Sequence, residues 1–235
     1  MTEFNPPDQI LKNSDLNLSA LSEIFSHRTT SYKYLFFISW LDILKFKKFD
    51  VDIQILFRDI VVEILVNSWL PYKKYNLYFG KQDKIANQLD SLAISNAEIE
   101  RQKNCQGSIE ENLRSIIASQ DLSDIVKYLK RYVPFRLISP FLKEKLEGID
   151  IDHGVDREIP RISIEEFDRL KPLYCFDIPD SRKFTAIIVH PDWATYIQNN
   201  YSIVRNWASW EWLQYMQSCN PKVDVTPQKL FWDKT

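Results

Sequence analysis

Glycine is scarce in this sequence, 4 of 235 residues, and no GxGxxG, GxxxxGKS or GxxxxGKT string occurs. That shortage disfavours glycine-hungry all-β barrels and excludes the glycine-rich loops that cradle nucleotide phosphates. Cysteine is as sparse. Cys105, Cys175 and Cys219 make neither a CxxC pair nor an even-numbered disulfide framework, which predicts reduced thiols. Histidine is limited to His27, His153 and His190, so a histidine-based metal or triad site has to draw on these and on distant carboxylates; none has ligand spacing. Long hydrophobic runs are missing too. Residues 34–46 come nearest, but Ser39, Asp42 and Lys45 interrupt them short of the ~20 apolar residues a membrane span needs. Residues 1–11 lack the basic start and apolar run of a secretory signal, so a cytoplasmic protein without membrane contact is expected. Neither charge sign dominates: 30 Lys+Arg against 32 Asp+Glu leave a net −2, and the totals argue for no global attraction to nucleic acid or anionic lipid.

What is present is apolar and aromatic. Hydrophobic residues at 45% can offset the entropy of ordering a chain of this length, which fits one large domain or two small ones. Residues 30–47 are apolar almost all round, the pattern of a central buried helix. Residues 53–70 place Leu56, Ile60, Val61, Ile64 and Leu65 at helical spacing, with Asp59 and Glu63 as an acidic strip facing water or a basic partner, and Pro71 as the stop. Shorter helices read at 82–92, at 109–119 behind the capping box Ser108-x-x-Glu111, at 124–132, and from Ser139-Pro140 to Gly148. Residues 149–161 lose all periodicity and read as an exposed connection. A second capping box, Ser163-x-x-Glu166, opens a short helix to Lys171.

The one β signal follows, a hairpin of residues 173–177 and 184–189 around the turn 178–183. His190-Pro191-Asp192 starts a helix, and residues 202–217 continue as a tryptophan-rich helix ended by Asn220-Pro221. The expected architecture is mainly α with a small β-hairpin. Residues 1–150 would form a helical domain, and residues 151–235 a hairpin and tryptophan helix packed on it.

Candidates for chemistry are few. His190 at a strand-to-helix junction suits a capping role, and His153 lies in charged loop without a metal-binding frame. The pairs Glu110-Glu111 and Glu165-Glu166 fit helix N-terminal electrostatics better than acid/base work. Trp207, Trp210 and Trp212 continue an apolar face with Val204, Ala208, Leu213 and Met216 and read as core. Charge distribution says more than the total. Lys127, Lys130, Arg131, Arg136, Lys143 and Lys145 stand against Glu144 alone within residues 127–145, interleaved with Tyr128, Tyr132 and Phe135. Cations beside stacking rings suit phosphate contacts on DNA or RNA.

Four strings, Arg28-Thr-Thr-Ser-Tyr-Lys-Tyr-Leu-Phe-Phe37, Arg131-Tyr-Val-Pro-Phe-Arg-Leu-Ile138, Pro172-Leu-Tyr-Cys-Phe-Asp177 and Trp210-Glu-Trp-Leu-Gln-Tyr-Met-Gln217, together resemble the N-terminal region of a bacterial HNH endonuclease domain family. The resemblance implies a helical region with a helix-turn-helix-like N-terminal portion, ahead of a nuclease domain that the sequence to Thr235 does not contain. It also implies a substrate or partner surface at Arg28, Lys33, Arg131 and Arg136. Residues and resemblance together lead to an expectation of nucleic-acid recognition or scaffolding in an HNH-type nuclease system defending against foreign DNA. The surface would comprise Arg28, Lys33, Lys127, Lys130, Arg131 and Arg136. The chain would be non-catalytic by itself and would need no cofactor, with a divalent metal only where an HNH domain is present. The alternative is a protein-interaction subunit of a larger assembly that touches no nucleic acid.

Overall fold

The computed structural model describes residues 16–26, 30–50, 54–94, 108–149 and 155–232. Helix α1 (Leu18–Glu23) is opened by Asn17, whose Oδ1 accepts the Ala20 amide at 2.9 Å. Helix α2 (Tyr32–Phe46) is buried along almost its whole length, as its all-round apolar pattern requires. The next helical pattern begins differently from its periodicity. Gln54–Leu56 form strand β1, because Ile55 is drawn into a sheet opposite Ile187, and helix α3 (Phe57–Trp69) starts only after it. Nor does Pro71 stop α3. The chain runs on through a π-helical turn, Leu70–Lys74, where proline occupies the first turn and its missing amide costs least. The Pro71 carbonyl accepts the Leu77 amide at 2.9 Å, and the helical path ends at Tyr75.

Helix α4 (Ile85–Asp90) is tied to α2 by a buried carboxylate. Asp83 accepts the Ser31 amide and hydroxyl, both at 2.7 Å, and the Ile85 amide at 2.8 Å. Helix α5 (Ile109–Ser119) has the predicted capping box, with Ser108 Oγ accepting the Glu111 amide and the Ser108 amide donating to Glu111 Oε2. Where one helix was expected over 124–132, α6 (Ser123–Leu129) ends early and α7 (Val133–Ile138) follows across a tight turn. Ser139 does not cap what comes next. Its hydroxyl donates to the Arg136 carbonyl at 3.0 Å, closing α7, and the chain passes through a 3-10 turn (Ser139–Leu142) into α8 (Lys143–Leu146).

The expected exposed connection is helical from Val155 onward. Helix α9 (Val155–Glu165) buries Ile159, Pro160 and Ile162, an apolar stripe that the high polarity of its other face conceals in the sequence. Ser163 is therefore a buried helix residue donating to the Pro160 carbonyl at 2.8 Å, not the start of a capping box. Helix α10 (Phe167–Leu170) follows.

The hairpin is present as β2 (Tyr174–Phe176) and β3 (Ala186–Val189), and β1 adds to the free edge of β3. The result is a three-stranded antiparallel sheet in the order β1-β3-β2, with Ile188 opposite both Gln54 and Cys175. The sheet and the packing of α2 against α11 (Pro191–Cys219) join residues from both sides of position 150. The span α11 comprises two helical segments that meet at a kink. The kink lies at Asn200 (φ −121°, ψ 20°), and His190 caps the span by accepting the Asp192 amide on Nδ1. A short helix α12 (Pro227–Leu230) completes the described chain.

The core is aromatic. Phe57, Phe135, Phe176 and Phe184 form a chain of ring contacts beneath the sheet, while Trp40, Trp193 and Trp212 are fully buried. Trp207 joins them at 8% exposure, but Trp210 is 58% exposed and leaves the tryptophan set: at i+3 from Trp207 it falls past the edge of the buried stripe. Cys175 and Cys219 are unpaired thiols, and Cys105 lies outside the described residues. Among the described residues no helix is long and apolar enough to cross a membrane.

Candidate nucleic-acid interface

The turn between α6 and α7 builds a recess whose charged lining residues are mainly cations. Ile125 and Leu129 anchor α6 in the core, which turns Lys127 outward, and Asp121 fixes its start by accepting the Ser123 amide and hydroxyl. Pro134 forces the break after Leu129, leaving Arg131 and Tyr132 exposed on the turn. Opposite stand the first turn of α9, with Asp156 and Arg157, and the hairpin turn, with Ser181 and Arg182. That turn is held by two aspartates. Asp177 accepts the Thr185 amide and hydroxyl, and Asp180 accepts the Arg182 amide at 2.9 Å.

The cleft enclosed by these elements has a volume of ≈ 650 Å³ and is lined by Lys127, Lys130, Arg131, Arg157 and Arg182, with Asp156 as the one carboxylate among its described lining residues. Asp156 is partly neutralised by Arg136, whose Nη2 lies 3.6 Å from its Oδ2, and burial pushes its carboxyl up against that pull. Among the described residues, none of Lys127, Arg131, Arg157 or Arg182 has a carboxylate partner. Arg131 also lies over the Tyr128 ring, its guanidinium 6.0 Å from the centroid.

The sequence candidates divide accordingly. Lys127 and Arg131 are exposed in the cleft. Lys130 lines it half-buried, its ammonium already donating to the Phe184 carbonyl and lying over the Phe184 ring; burial lowers its pKa, opposed by Asp177 and Asp180. It therefore does not share a free solvent face with Lys127 and Arg131, although the i, i+3, i+4 spacing suggests one. Arg136 stands beside the cleft, its guanidinium 4.9 Å from the Tyr132 ring centroid. Lys33 is not among the cleft-lining residues: its Nζ donates to the Ile24 carbonyl at 3.1 Å beyond the end of α1. Arg28, His27 and His153 lie outside the described residues. Arg157 and Arg182 escaped the sequence reading because they come from two segments distant from residues 127–145, and neither belongs to a local run of cations.

A second recess, ≈ 830 Å³, carries the opposite sign, with Asp42, Asp59, Glu63, Glu110 and Glu111 among its lining. Here the acidic strip is partly consumed. Glu63 is buried and bonded to Arg114 Nε, with Nη2 at 3.1 Å from its other oxygen and 2.8 Å from Glu110. Arg114 is thus the basic partner that Glu63 requires. Among the described residues no group of three or more His, Cys, Asp or Glu side chains is arranged to hold a metal ion. His190 is a buried cap residue packed on Phe167, and burial lowers its pKa. No family model, curated protein or solved structure matches this chain.

Proposed function

We propose that the chain recognises nucleic acid through the cleft of Lys127, Arg131, Arg157 and Arg182, as the non-catalytic recognition part of an HNH-type nuclease system acting against foreign DNA in the bacterial cytoplasm. The supporting observation is the convergence on one recess of four cations, from three separate parts of the chain, that have no carboxylate partner among the described residues. Convergence of this kind leaves positive charge uncompensated, and phosphate oxygens are the ligands that repay it with charge-assisted hydrogen bonds. The nuclease and defence context comes from the resemblance of the four sequence strings; the proposed binding surface is argued from the cleft alone.

The test is a salt titration of binding to labelled DNA, read by fluorescence anisotropy. With four phosphate contacts on duplex DNA, the logarithm of the affinity should fall against the logarithm of salt with a slope near −3.6, about −0.9 for each contact. Arg157→Ala with Arg182→Ala should lower that magnitude by about 1.8, as should Lys127→Ala with Arg131→Ala, and should weaken all sequences alike. No binding at ~50 mM salt, or binding indifferent to all four substitutions, overturns the reading and favours a protein-interaction subunit.

A further inference from the structure

We infer that the cleft takes a single strand, with Tyr132 as the surface on which an unpaired base stacks. The inference rests on the nucleic-acid reading and goes beyond it to the strandedness of the ligand. Between the cations, the recess offers apolar surface from Val126 and Tyr132, with the buried Phe135 beneath them. Phosphates have no use for such a surface, whereas an unstacked base does. In a duplex the base faces are already stacked on one another, so apolar surface of this kind in the ≈ 650 Å³ recess gains a partner only from a strand whose bases are unpaired.

Tyr132 has the attributes of a stacking platform. It is 54% exposed, and among the described residues no other aromatic ring packs on it. The Arg136 guanidinium lies over the ring at 4.9 Å from its centroid and is not among the cleft-lining residues, whereas Tyr132 is. Arg136 in turn pairs with Asp156 at 3.6 Å, so the ring is backed by a cation with a carboxylate beside it. Arg131 and Lys127 line the same recess as Tyr132, so phosphates flanking a stacked base have cations within the cleft to meet.

Three fluorescein-labelled probes of equal length test this by anisotropy: oligothymidine, a duplex, and an abasic sugar-phosphate strand. Wild-type protein is expected to bind oligothymidine about tenfold or more tighter than either of the others, within the ~1–3 kcal/mol that base–aromatic stacking supplies. Tyr132→Ala should remove that preference and leave the duplex and abasic affinities unchanged; Tyr132→Phe should keep it. Lys127→Ala should weaken all three, and circular dichroism confirms that each variant is folded. Equal binding of duplex and single strand, unmoved by Tyr132→Ala, overturns the single-strand inference while phosphate recognition stands. Failure of the wild type to bind any of the three overturns the nucleic-acid reading itself.

Discussion

Lys33→Met tests the reassignment of a basic residue from ligand contact to the interior. Lys33 leaves the first turn of α2 half-buried and donates to the Ile24 carbonyl. Burial, and after it the nearby Arg136, push its ammonium down from 10.5 to about 8. Because the folded value lies below the unfolded one, the unfolded chain holds the extra proton between about pH 8 and 10.5, and stability rises with pH through that window. At ~1.36 kcal/mol per pH unit, the charged side chain costs the fold up to about 3 kcal/mol at pH 7, a cost that vanishes near pH 10.5. Methionine keeps the apolar stem but leaves the Ile24 carbonyl without its donor, a loss of about 1–2 kcal/mol at every pH.

The variant is therefore expected to match wild type or exceed it by up to about 2 kcal/mol at pH 7, and to fall about 1–2 kcal/mol below it near pH 10. Urea unfolding followed by tryptophan fluorescence reads both values. The difference between the two proteins cancels titrations they share, including that of Cys175, whose thiol burial pushes up to about 11. Oligonucleotide affinity and its salt slope should not change. A variant that is clearly less stable at pH 7 yet keeps the wild-type pH slope, or one that loses a contact's worth of salt dependence, would refute the reasoning.

Trp212→Ala removes a fully buried indole and should cost about 3–5 kcal/mol, whereas Trp210→Ala, two residues earlier and 58% exposed, should stay within about 0.5 kcal/mol; thermal melts giving equal effects would contradict the burial assignment. Glu63→Ala strips Arg114 of its buried partner between α3 and α5 and should cost about 2 kcal/mol, less than for a fully buried pair because Arg114 is partly exposed. Most of that loss should return in the Glu63→Ala, Arg114→Met double variant, and an additive double-mutant cycle by urea unfolding would show that the pair is not coupled.

Local chemistry in the chain determined a large share of this structure by itself. Ser108 and Glu111 specify the start of α5 because both halves of a capping box lie within one turn, and the aromatic, β-branched stretches around residues 178–183 specify a hairpin. The all-round apolar pattern of α2 dictated a central helix, because no surface helix tolerates it. Long-range partners decided the rest. Ile55 is extended rather than helical because the free edge of β3, more than 100 residues away, offers backbone hydrogen bonds that helical periodicity cannot register. Glu63 is buried only because Arg114 arrives from another helix, and Trp210 is exposed only because the core stripe of α11 ends at its neighbours. The cleft divides in the same way. Lys127 and Arg131 were legible as a local run of charge, but Arg157 and Arg182 join them only when α9 and the hairpin turn fold against α6 and α7, and Lys33 and Lys130 are withdrawn only when carbonyls from elsewhere in the chain reach their ammonium groups. Charge runs are written in sequence, whereas availability of charge is set by which buried acceptors the fold brings within ~3 Å.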